Sequence, residues 1–160
     1  MTRNLSITAV LLVVLTTSCS ISTKPEGIYY PLEGIIEGRV TYVSDDLAYS
    51  IYKPGLNLHL VSRHIYDAGC YQFWTTKDLG ALTLHINVRG VYRPSPGACT
   101  GEMCPASSTI NLGNPGDGAY CLQLADSEKV YVGLLHVSGD QVTVTFPDTT
   151  RFNFLTSIFP

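Results

Sequence analysis

Ala81-Leu82-Thr83-Leu84-His85-Ile86-Asn87-Val88 is the stretch that decides the fold. Leu82, Leu84, Ile86 and Val88 alternate with Thr83, His85 and Asn87. A period of two is that of a strand with one face on a core. Upstream, Leu56, Leu58 and Leu60 alternate with Asn57 and His59 in a predicted strand over 56–65, after the turn signal Lys53-Pro54-Gly55. Gly34 to Val43 is rich in β-branched residues, Leu47 to Tyr52 follows an Asp45-Asp46 turn, and Cys70 to Thr75 follows Asp67-Ala68-Gly69. Downstream come Ser107 to Leu112, Ala119 to Leu124, Lys129 to Val137, Gln141 to Phe146 after a Ser138-Gly139-Asp140 turn, and Arg151 to Ile158. Beyond the N-terminal apolar run, no segment carries a sustained helical period with caps. About nine short strands between Gly, Pro and Asp turns predict an all-β fold. The expected form is a single β-sandwich of antiparallel strands, with a small barrel as the alternative.

Composition fits one packed domain: of 160 residues, 45% are hydrophobic and only 14% charged. Without residues 1–18 the chain loses Arg3 and no acid, leaving 9 basic and 13 acidic residues and a net charge of −4. No run of Lys or Arg is present, which speaks against nucleic acid or an anionic lipid surface as the partner.

Catalytic motifs are missing. There is no G-x-S-x-G elbow and no H-E-x-x-H. Asp45-Asp46 sits in a turn, where Asp serves the backbone, so paired carboxylates for glycoside cleavage are unsupported. The chain is therefore read as a non-enzyme without a cofactor. His59, His85 and His136 each lie between aliphatic residues in separate predicted strands, and three histidines on one sheet face would bind copper or zinc if those strands met. His136 shares its parity with Val130, Val132 and Leu134, so its face is ambiguous.

The loop from Arg93 to Ser107 is stiffened by Pro94, Pro96 and Pro105. A rigid exposed loop loses little entropy on docking, which makes Glu102 and Met103 at its tip the candidate partner-binding residues. Tyr29, Tyr30, Tyr42, Tyr49, Tyr52 and Tyr66 cluster in the first half, and exposed tyrosines are enriched at interfaces.

The N-terminus carries an address. Arg3 precedes the apolar run Leu5 to Leu15, which is too short to span a bilayer. Leu15-Thr16-Thr17-Ser18-Cys19 resembles the lipobox of bacterial lipoproteins, although that family prefers Leu, Val or Ile where Thr16 stands. The resemblance implies a signal peptide over 1–18, acyl chains on Cys19 and a tether over 19–31 ahead of a domain over 32–160. Ser20 stands where lipoproteins of the inner membrane carry Asp, so the implied address is the outer membrane, with the domain facing the periplasm.

An exported chain keeps its cysteines oxidised, and Cys70, Cys99, Cys104 and Cys121 make an even number. Three pairings are formally open. The favoured set is Cys99–Cys104, closing a small loop, with Cys70–Cys121 joining distant strands. Asp117-Gly118-Ala119-Tyr120-Cys121 is similar to the stretch around the second cysteine of immunoglobulin-type domains, which describes layout only. In size, address and loop, the chain is similar to small periplasmic lipoproteins that give immunity against envelope-directed hydrolases. That likeness implies a protein partner in the envelope: a toxin or hydrolase or, alternatively, a subunit of a secretion or surface complex served by an adapter. Capture of a metal or small ligand is a further alternative.

Overall fold

The computed structural model describes residues 24–43, 55–67, 70–94, 103–139 and 141–155. Among them run ten strands: β1 (Ile28–Tyr30), β2 (Ile36–Val43), β3 (Gly55–Tyr66), β4 (Tyr71–Leu79), β5 (Thr83–Arg93), β6 (Cys104–Gly113), β7 (Gly118–Ala125), β8 (Val130–Ser138), β9 (Gln141–Thr145) and β10 (Phe152–Phe154). The described residues are all-β, as the alternation predicts. The stretch Leu47 to Tyr52 lies outside the described residues.

The layers differ from a sandwich. All ten strands belong to one mixed sheet in the order β10-β2-β3-β6-β4-β5-β7-β8-β9, with β1 added beside β5. β10 with β2, β4 with β6, and β5 with β7 pair in parallel, and the remaining pairs are antiparallel. The sheet curls into a nearly closed barrel. At its seam Phe146 stacks on Phe154 with ring centroids 4.9 Å apart, and Tyr131 meets Phe152 edge-on at 5.1 Å. Alternation reports which side of a strand is apolar and cannot report which strands are neighbours, so barrel and sandwich look alike in sequence.

The barrel interior is filled by side chains. Leu58, Leu60, Ile86, Val88, Leu122 and Leu135 are each fully buried, and such burial stabilises by about 2 kcal/mol per side chain. Leu82 departs from its expected place. It precedes β5 in a bend and is 67% exposed, while Leu84, Ile86 and Val88 fill the core.

Two boundaries also move. β1 lies inside the expected tether and pairs antiparallel with β5, Tyr29 opposite Tyr92, so folded structure begins by Ile28. The Arg93-to-Ser107 loop is shorter than expected, because β6 starts at Cys104.

The cysteines need correction as well. Among the described residues no disulfide is formed. Cys121 pairs with Thr83 at the start of β5, whereas Cys70 precedes Gln72, which pairs with Tyr92 at the other end. The two are therefore about 30 Å apart at about 3.3 Å per residue, and a bridge needs Cα atoms within about 7 Å. The Cys70–Cys121 pairing is excluded. Cys99 lies outside the described residues, and with it the Cys99–Cys104 pairing.

Candidate functional site

The three strand histidines do not converge. His85 pairs with Gln123 and His136 with Ala119, positions on β7 separated by about 13 Å, with β7 itself between the two histidine strands. His59 lies on β3, separated from β5 by β6 and β4. A shared metal needs each ligand nitrogen about 2.1 Å away. His59 instead belongs to a polar ladder across β2, β3 and β6. Its Nε2 is 2.6 Å from Thr41 Oγ1 and its Nδ1 is 2.9 Å from Thr109 Oγ1. Burial, with Arg39 second, pushes its pKa down.

One end of the barrel carries a cleft of 170 Å³ where β1, the end of β3 and the start of β4 meet. Tyr30, Tyr66 and Tyr71 form its floor. The Tyr66 and Tyr71 rings lie 4.8 Å apart, and Tyr30 meets Tyr71 edge-on at 5.3 Å. Glu33 and His64 stand 3.3 Å apart at the rim. Tyr71 donates to the Asp67 carbonyl, but the buried Tyr66 hydroxyl, which faces the Glu33 backbone amide, finds no acceptor for its own proton. Burial pushes both phenols up, helped at Tyr66 by the Glu33 carboxylate, so both are neutral donors near neutral pH. A buried hydroxyl without an acceptor is costly and marks a place for a ligand atom or a water.

Met103 lies at this same end, 68% exposed, next to Cys104, which pairs with Tyr66. Glu102 lies outside the described residues, as do Tyr49 and Tyr52. Sequence reading marked Tyr30 and Tyr66 but missed Glu33, His64 and Tyr71, because their meeting depends on β1 and β4 arriving at the end of β3.

A second surface is the outer wall of β7, β8 and β9. Val130, Val132 and Leu134 point outward and are each about half exposed, at 49%, 51% and 51%, while Tyr131, Leu135 and Val137 point inward. Flanking positions are uncharged: Ala119, Cys121 and Gln123 on β7, and Gln141, Thr143 and Thr145 on β9. The ambiguity of His136 is thereby resolved, since it shares the outward row. A strand apolar on both faces is the pattern of one covered on both sides, and here the outer side is open.

A third surface joins the N-terminal segment to the wall of β4 and β5. Tyr29 stacks on Tyr92 at 6.1 Å and meets Trp74 edge-on at 5.7 Å. Lys24 Nζ lies 3.6 Å from the Tyr29 centroid, and the Arg89 guanidinium lies 5.4 Å from the Trp74 ring. The sequence shows no basic run, yet the fold brings these two cations to one aromatic cluster.

Among the described residues no helix is long and apolar enough to cross a membrane, and no group of His, Cys, Asp and Glu is placed to hold a metal ion. Comparison with known proteins finds no matching family model, curated protein or solved structure.

Proposed function

We propose that this chain is a non-enzymatic, lipid-anchored envelope protein, acylated at Cys19 and held at the outer membrane, that acts by binding a protein partner. The most concrete form of this reading is an immunity or inhibitor protein that blocks an envelope-directed toxin or hydrolase. The observation that carries it is the open apolar row Val130, Val132 and Leu134 in an uncharged three-strand wall. Exposed apolar area surrounded by polar, uncharged groups is the composition of a protein interface core. The packed interior supports action by surface contact.

The test is capture from the native envelope with partners identified by mass spectrometry. Three forms are compared: the parent, a Val132→Lys/Leu134→Lys variant, and a Glu102→Ala/Met103→Ala variant. A toxin or hydrolase lost only with the wall variant supports the reading. Loss only with the loop variant moves the contact to the loop tip. Secretion or surface-complex subunits would replace the inhibitor by an adapter, and capture of nothing by the parent would sink protein binding.

The Tyr66 hydroxyl, which lacks an acceptor in the cleft, favours a second reading, capture of a small ligand bearing a hydrogen-bond acceptor. Tyr66→Phe then lowers affinity for that ligand while leaving the wall contact intact.

A further inference from the structure

We propose that the cluster of Lys24, Tyr29, Trp74, Arg89 and Tyr92 is a bilayer-docking face, so that the barrel rests on the membrane surface along β1 and the wall of β4 and β5. This inference rests on the lipid-anchor reading of Cys19. Five residue steps separate Cys19 from Lys24, a reach of at most about 18 Å. Lys24 itself is seated on the Tyr29 ring. An anchor at Cys19 thus holds this cluster within one short span of the headgroups and leaves it little freedom to face elsewhere.

The chemistry suits that place. Trp and Tyr favour the membrane interface, where an apolar ring meets a polar headgroup layer. Here two tyrosines and the indole pack together, with Tyr92 donating its hydroxyl to Gln72 at 2.7 Å. Lys24 and Arg89 supply cations for lipid phosphates, each attracted to an anionic surface at short range. The uncharged wall of β8 is separated from β5 by β7 and faces another direction. A protein partner therefore has access to that wall while the bilayer occupies this one.

Trp74 is the sole tryptophan of the chain, so its fluorescence reads the proposed contact directly. The full chain purified from its envelope is placed in vesicles of phosphatidylethanolamine and phosphatidylglycerol containing lipids brominated near the top of the acyl chain. Bilayer docking predicts strong quenching of Trp74. It also predicts that Lys24→Glu/Arg89→Glu weakens the contact at least about tenfold and removes most of the quenching. The mass of the N-terminal peptide decides acylation of Cys19 separately. An acylated protein whose Trp74 is unquenched overturns the docking face and leaves the anchor standing. An unacylated protein that is still quenched when added to vesicles overturns the anchor and upholds the face. Quenching that survives the double charge reversal removes the assigned role of the two cations and overturns the proposal as stated.

Discussion

Asp126 and Arg151 lock the seam of the barrel: Arg151 Nε donates to Asp126 Oδ2 at 3.1 Å, across a pair whose carboxylate is fully buried. Asp126 also accepts the backbone amides of Glu128 and Lys129 at 2.8 Å each, and Arg151 Nη1 reaches the Gly34 carbonyl at 2.8 Å. The turn between β7 and β8, the entry to β10 and the approach to β2 thus share one ion pair. Asp126→Ala leaves the Arg151 charge without its partner and is expected to cost about 3 kcal/mol. Urea denaturation of the parent and variant measures this. A loss below 1 kcal/mol would show that the seam closes without the pair.

Acid should loosen the protein in two stages. The folded pKa of His59 is lowered, so the unfolded chain binds its proton first. Its contribution is complete above the ordinary value of 6.5 and declines as pH falls through and below it. Asp126 behaves in the usual carboxylate sense. Burial works to raise its pKa, but the Glu128 and Lys129 amides and Arg151 outweigh it and hold the group below 3.8. Its contribution is therefore present above that value and is lost as pH falls below it. Thermal melts at stepped pH should show the upper stage vanish in His59→Gln and the lower stage vanish in Asp126→Asn.

Gly38 gives the Phe154 ring its place. A Cβ added at Gly38 would lie 2.5 Å from the tip of that ring, so Gly38→Ala must push Phe154 out of its stack on Phe146. The expected cost is about 2 kcal/mol. Adding Phe154→Ala to the variant should cost less than it does in the parent, because the ring is already displaced. Additive losses would mean that the two residues do not share the space.

Non-reducing peptide mapping of the protein from its native compartment should yield no peptide joining Cys70 to Cys121. Recovery of that peptide as the major species would contradict the register of β5 with β7. A Cys99–Cys104 peptide is compatible with the described strands.

The legible and illegible parts of the sequence separate along a physical line. Leu56, Leu58 and Leu60 announce β3, and Leu84, Ile86 and Val88 announce β5, because alternation is local and each residue carries its own burial preference. Neighbourhood is not local. Nothing in residues 71–79 or 104–113 states that β4 and β6 run parallel, and nothing at Lys24 states that it will lie on Tyr29. The cleft suffers most, since Tyr30, Tyr66 and Tyr71 come from three strands. The apolar wall was half legible. Val130, Val132 and Leu134 were visible as a row of one parity, but Tyr131, Leu135 and Val137 form a second row, and only the barrel decides which is outside.

The parallel pairing of β10 with β2 sets an order in time. Phe152, Asn153 and Phe154 meet Ile36, Glu37 and Gly38, so β10 completes the edge beside a strand made long before it. The pairs β2–β3, β4–β5 and β7–β8–β9 join strands close in sequence and can zip locally as the chain emerges. The β10 contact must instead wait until residues 152–154 have been made, and such distant pairings make folding slow. Until then the growing polypeptide carries an unsealed edge and an uncovered Phe146, so aggregation is most dangerous for nascent chains that lack β10.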